Sequence, residues 1–147
     1  MKSLLLCFFV LFTQLEIVAQ KTPFRKKYSF SLEKELFISH PLTGDRIQVA
    51  NEDIDGELNW FQAVRACSNM GQGWRLPSIE ELKVIYSDIY LKGKGGNFKE
   101  KIYWSSTEID SELAWIFLME TGQAFDIWVT SRKGNSFYAR PVRTLRR

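Results

Sequence analysis

The chain has 147 residues, 45% of them hydrophobic and 14% aromatic, with a formal net charge of +3. These proportions exclude a disordered or low-complexity polymer and fit one globular domain with its own core. So small a net charge gives no nucleic-acid-binding signature, and no nucleic-acid partner is expected.

The N-terminus reads as a secretory signal peptide over residues 1–19. Lys2 precedes an apolar run from Leu4 to Phe12, and small Ala19 follows a more polar stretch. A cut after Ala19 leaves Gln20 first. An uncleaved anchor is the competing reading, but Glu16 interrupts a stretch already short for ~30 Å of hydrocarbon. Membrane contact is expected only through this peptide or through surface association. Cys7 stands too early for a lipoprotein site and lacks a small residue just before it. The expected location is secreted, periplasmic or cell-surface. Cleavage leaves Cys67 as the only cysteine, so no internal disulfide is expected.

Residues 20–35 are charged and aperiodic, a linker or a loose first strand. One domain is expected over 36–147. Leu36-Phe37-Ile38 is a short strand, closed by His40-Pro41 and the turn Thr43-Gly44-Asp45. Arg46 to Ala50 pairs back as a hairpin. Asn51 to Gly56, with Glu52, Asp53, Asp55 and Glu57 in or beside it, is a solvated acidic loop. Its oxygens also suit Ca²⁺, although EF-hand spacing is missing. Asn59 caps a helix to about Met70, with Trp60, Ala63, Val64 and Cys67 as its apolar stripe. Cys67 on that stripe is a small buried hydrophobe rather than a nucleophile. Gly71 and Gly73 stop the helix.

Trp74-Arg75-Leu76-Pro77-Ser78 then makes a Pro-fixed turn. Ser78 and Glu81 form a capping box, and Leu82, Ile85, Tyr86 and Ile89 form the buried face of a second helix. Lys92 to Lys101 is a glycine-containing loop without Walker spacing. Tyr103-Trp104 begins a strand that leads into a polar loop at Ser105-Ser106-Thr107-Glu108. Ala114 to Glu120 is the next strand, Thr121-Gly122 a turn, Ala124 to Thr130 a strand and Ser131 to Ser136 a basic turn. Phe137 to Leu145 is the last strand, with Pro141 at an edge or bulge. Helices followed by an antiparallel meander make an α+β domain.

Trp74, Trp104 and Trp115 read as packing residues. Arg75 satisfies carbonyls or an internal acid, with a carboxylate ligand as the alternative. Ser105, Ser106 and Thr107 bond to backbone. Arg140 and Arg143, three apart in a strand, face opposite sides, so one is buried and paired and the other exposed. Glu108, Asp110 and Glu112 in one loop, with Trp128, Arg132, Lys133, Asn135 and Tyr138 around the last turn, are the candidate ligand-binding residues. No catalytic residue, metal ligand or cofactor is expected, because His40 is the only histidine and no base stands near a nucleophile. Basic clusters at Lys21, Arg25, Lys26 and Lys27, and from Arg132 to Arg147, suit polyanions or ordinary solvated charge.

Five short motifs in order carry a resemblance: Ala66-Cys67, Gly73 to Ser78 with Glu81-Leu82, Tyr103 to Glu108, Ala114-Trp115 with Gly122, and Ala139-Arg140-Pro141-Val142-Arg143. Over residues 58–145 the chain resembles the bacterial DUF1566, or Lcl C-terminal domain, family. The resemblance implies a C-type lectin-like fold, two helices on a small twisted antiparallel sheet with a loop-rich binding end. It also implies a secreted or surface-attached, non-enzymatic binding or adhesion domain for glycans or other polyanions. The alternative is a protein-interaction module of an envelope complex. The calcium motifs of sugar-binding C-type lectins, Glu-Pro-Asn or Gln-Pro-Asp followed by Trp-Asn-Asp, do not occur here, so Ca²⁺ stays possible but unsupported by them. The cysteine pair of the related formylglycine-generating enzymes is absent from the expected mature chain.

Overall fold

The computed structural model describes residues 34–124 and 131–145. The expected signal peptide, nearly all of the linker, and Trp128 lie outside them. The first elements follow the local signals. Strand β1 (Leu36–Ser39) and strand β2 (Arg46–Val49) pair antiparallel, Leu36 opposite Val49 and Ser39 opposite Arg46. Between them His40 folds the turn, its Nδ1 accepting from the backbone N–H groups of Leu42 and Thr43.

Helix α1 (Trp60–Asn69) starts at Asn59, whose side chain accepts from the Gln62 N–H while the Gln62 side chain accepts from the Asn59 N–H. This is a second capping box, built with Gln in place of Glu. Helix α2 (Ile79–Ile85) carries the expected box at Ser78 and Glu81. It does not end where its apolar stripe suggests. Residues Tyr86–Tyr90 continue as a π-helical turn, with Leu91 N–H donating to the Tyr86 carbonyl. The Tyr86 ring lies against Gly122, where an added Cβ would stand 2.1 Å from a ring carbon. Only glycine fits between that ring and the turn it faces.

The polar loop expected at Ser105-Ser106-Thr107-Glu108 is strand. Strand β3 runs Ile102–Glu108 and pairs with strand β4 (Leu113–Leu118), with the register shifting between Trp104 and Glu108. The shift explains how hydroxyl residues stay in the strand: they bond sideways to neighbouring backbone. Strands β5 (Gln123–Ala124) and β6 (Ser131–Arg132) both pair with β4, which ends at Leu118 instead of Glu120.

The expected last strand is split. Phe137 and Tyr138 make only isolated bridges, to Leu58 and Tyr103, and regular pairing resumes at strand β7 (Val142–Leu145). Pro141 lies at the break, its carbonyl accepting from the Ala50 N–H and its ring nitrogen having nothing to donate. Strand β7 pairs with β2, not with the strands before it, Val142 opposite Val49 and Leu145 opposite Arg46. The described residues therefore form an α+β domain with two antiparallel sheets, one ordered β1-β2-β7 and one centred on β4. The single meander expected from sequence is replaced by a chain that returns to its first sheet.

The second sheet separates two cores. Tyr103 and its cross-strand partner Phe117 face the core of α2 and the first sheet, with Ile47, Leu82, Ile85 and Ile89. Trp104 and its partner Ile116 face the core of α1, with Ala63, Cys67 and Leu76. Burial on both faces explains why β4 reads as an almost continuous apolar run.

Candidate functional site

The Trp74–Leu82 block is a tie between sheet and helix. Arg75 exchanges backbone hydrogen bonds with Val142, which fixes the segment to the outer edge of β7. Its guanidinium meets Glu81 in a bidentate pair, with both N···O distances 2.7 Å, and Nη1 also donates to the Leu76 carbonyl. Glu81 is fully buried and accepts from the Ser78 N–H as well. Burial pushes the Glu81 carboxyl upward, but the hydrogen bonds and charge of Arg75, the Ser78 N–H and the charge of His40 outweigh it and hold the group below the usual range. His40 Nε2 lies 3.9 Å from Glu81. Arg75 thus satisfies an internal acid and a carbonyl.

The Ser-Ser-Thr run is equally committed. Buried Ser105 donates its hydroxyl to the Trp115 carbonyl, and Thr107 Oγ1 accepts from the Ile79 N–H at the start of α2. The Ser106 N–H donates to the Pro77 carbonyl. Trp104 is fully buried and its indole donates to the Leu58 carbonyl, while Trp74 and Trp115 are only half-buried.

The loops around Glu108–Glu112 and Arg132–Asn135 share one end of the domain. Ladder pairing sets Leu113 opposite Arg132, and the Lys133 N–H donates to the Glu112 carbonyl. The centre of this end is Lys133, which was expected to be exposed and ligand-binding and is instead 4% exposed. Its ammonium donates to Glu108 Oε2 and to the carbonyls of Asp110 and Ser111, at 2.9 and 3.2 Å for the two carbonyls. All three of its protons are thereby used, and the charge sits 4.5 Å from the centre of the Trp60 ring. Asp110 stays exposed but braces its own loop, its Oδ1 accepting from the Glu112 and Leu113 N–H groups. Glu108, Glu112, Arg132 and Asn135 keep exposed side chains at this end.

Tyr138 does not join them. Its ring packs on Tyr103 in the other core, centroids 5.9 Å apart, beneath the Lys99 ammonium at 4.1 Å. The acidic loop is not simply solvated either. Asp53 accepts from Arg140 Nε at 2.7 Å and from the Tyr103 hydroxyl at 3.0 Å, and Glu52 accepts from Asn97. Burial lifts the Asp53 carboxyl above its ordinary value despite Arg140 beside it. Arg140 is fully buried and stacks 4.0 Å from the Phe98 ring centre. Among the described residues no group of three or more His, Cys, Asp or Glu gathers as a metal would require. Arg143 is the more exposed of the two arginines, bonded to the side-chain oxygens of Gln48 and Gln72 and lying 4.8 Å from the Trp74 ring centre.

Phe61 at the loop end escapes the sequence reading. It is 58% exposed, set edge-on to Trp60 and 5.8 Å from the Lys133 ammonium, and Ile109 on the adjoining loop is 46% exposed. The signal was present, since Phe61 is the one large apolar residue off the stripe of α1.

The model of the Lcl C-terminal domain family matches residues 39–143, beginning in the first hairpin, well before the motifs that first suggest it. No curated protein matches the chain. The chain belongs to the Lcl C-terminal domain family.

Proposed function

We propose that this member of the family is a secreted or surface-held, non-enzymatic binding domain with a C-type lectin-like fold, and that it seats a glycan at the loop end. The exposed ring of Phe61 carries the reading. A rigid aromatic face at solvent suits the apolar face of a sugar ring, and Glu108, Glu112 and Arg132, exposed at the same end of the domain, suit the hydroxyls. The two helices on antiparallel sheet with one loop-bearing end support the lectin-like comparison. Lys133 is neutralised by Glu108, so an anionic ligand at this end depends on Arg132.

The state of the reactive groups supports a binding role over catalysis. Burial pushes the Cys67 thiol up to about 12, Glu81 faces His40, and the hydroxyls of Ser105 and Thr107 are tied to backbone. The test is a glycan array probed with the chain, with and without Ca²⁺. Binding that falls at least about tenfold in Phe61→Ala, in line with the loss of one ring-stacking contact, supports the reading. A second reading, a protein-interaction module, draws on the neighbouring exposure of Phe61 and Ile109. An empty array together with capture of a stoichiometric protein partner that requires Phe61 favours it.

A further inference from the structure

A second candidate site lies away from the loop end, along the outer edge of β7. An open cleft of about 510 Å³ is lined there by Gln72, Gly73, Arg75, Arg143, Thr144 and Leu145. The register fixes which backbone groups reach it. The Ala50 N–H donates to the Pro141 carbonyl, so the hydrogen-bonded rungs between β2 and β7 fall at Gln48–Arg143 and Arg46–Leu145. Val142 and Thr144 therefore turn their N–H and C=O groups the other way. Those of Val142 are taken by Arg75. Those of Thr144, one rung further on, face the cleft with no backbone partner among the described residues.

The Arg75 segment thus begins a strand on the free edge of β7 and stops after one rung. Gln72 and Gly73 lead into it, both with positive φ, 52° and 79°. A non-glycine residue held at such a φ is costly, and here it places Gln72 where its side-chain oxygen accepts from Arg143. The charge at the cleft is positive. Glu81 offsets Arg75, but Arg143 bonds only to amide oxygens among the described residues, and its Nη2 has no hydrogen bond there.

We propose that this edge docks an extended, acidic peptide segment of a partner protein, which continues the rung begun by Arg75 and sets a carboxylate on Arg143. Strand addition takes its hydrogen bonds from the free edge and its selectivity from flanking side chains. The chain's own segment before the domain is unsuited to the place, because Lys21, Arg25, Lys26 and Lys27 would bring like charge to Arg143.

The test is fluorescence polarisation of the full chain with labelled, capped hexapeptides of alternating Glu and Val, against the same peptides with Lys for Glu. The Glu peptide binds and the Lys peptide does not. Thr144→Pro removes the outward N–H of an edge strand, a position where proline is compatible with a sheet, together with the hydroxyl that accepts from Arg75 Nη2. Thr144→Val removes the hydroxyl alone, and against it the proline variant weakens binding about tenfold, one lost hydrogen bond. Arg143→Gln weakens the Glu peptide and brings its affinity toward that of a Ser-Val control, with the fold intact by circular dichroism. Absence of binding at millimolar peptide, equal binding of Lys and Glu peptides, or binding indifferent to both Thr144→Pro and Arg143→Gln overturns the proposal. So does self-association of the chain that Thr144→Pro abolishes, since the edge then belongs to a second copy. The Phe61→Ala variant keeps this binding, which separates the edge from the loop end.

Discussion

In the Arg75–Glu81 pair the carboxylate is fully buried and the guanidinium side chain 41% exposed; in the Lys133–Glu108 pair the ammonium side chain is 4% exposed and the carboxylate 51% exposed. The two pairs are mirror images in charge. One leaves a cation facing the cleft beside β7, the other an anion at the loop end. They also differ in redundancy. Glu81 depends on one guanidinium for its two shortest hydrogen bonds, whereas Lys133 keeps two carbonyls if its acid is removed. What each pair contributes is set by the charge left behind when the exposed partner goes.

The largest effect is expected from Arg75→Ala, which strands a buried carboxylate and should cost ~3–5 kcal/mol in denaturant unfolding. Glu108→Ala is the mirror experiment. Lys133 retains its carbonyls, so the expected cost is only about 1–3 kcal/mol. Equal losses in the two variants would break the contrast. A pH series sharpens it. Because the folded Glu81 carboxyl lies below its ordinary value of 4.5, its contribution is complete above that pH and is lost as pH falls through the lower folded value. In Arg75→Ala burial, the largest influence on Glu81, is opposed only by the Ser78 N–H and the charge of His40, so the protonated form gains and the stability gap to the parent narrows in acid. A gap constant from pH 7 to pH 3 would contradict the assignment. The smallest effect belongs to Phe61→Ala, an exposed ring above the Lys133 pair, whose stability should stay within ~0.5 kcal/mol of the parent.

How much of this was legible in sequence follows the range of the interactions. The capping box at Ser78 and Glu81 acts over three residues and was readable from residue types, as was the turn from His40 to Asp45. The Arg140–Asp53 pair spans 87 positions and joins a basic C-terminal third to an acidic loop, so neither partner announces the other. Lys133 looked like surface charge because nothing local shows that Glu108 and two carbonyls surround it. The register shift in β3 hid Ser105, Ser106 and Thr107 from an alternation test, since their bonds run to Trp115, Pro77 and Ile79 instead of along a simple ladder. The π-helical turn has no residue signature; it sets Tyr86 on Gly122, far along the chain.

The pairing of β7 with β2 bears on how the domain assembles in time. The Arg143–Gln48 contact closes a span of 95 residues, and the Arg75–Val142 rung also waits for the final strand. Until the chain through Leu145 is available, β2 presents an open row of hydrogen-bonding groups, and the Arg75 side chain is held only by local partners, Glu81 and the Leu76 carbonyl. Closing so long a loop costs chain entropy before it returns any contact energy. Completion of the first sheet is therefore a late event that depends on a four-residue strand at the far end of the domain.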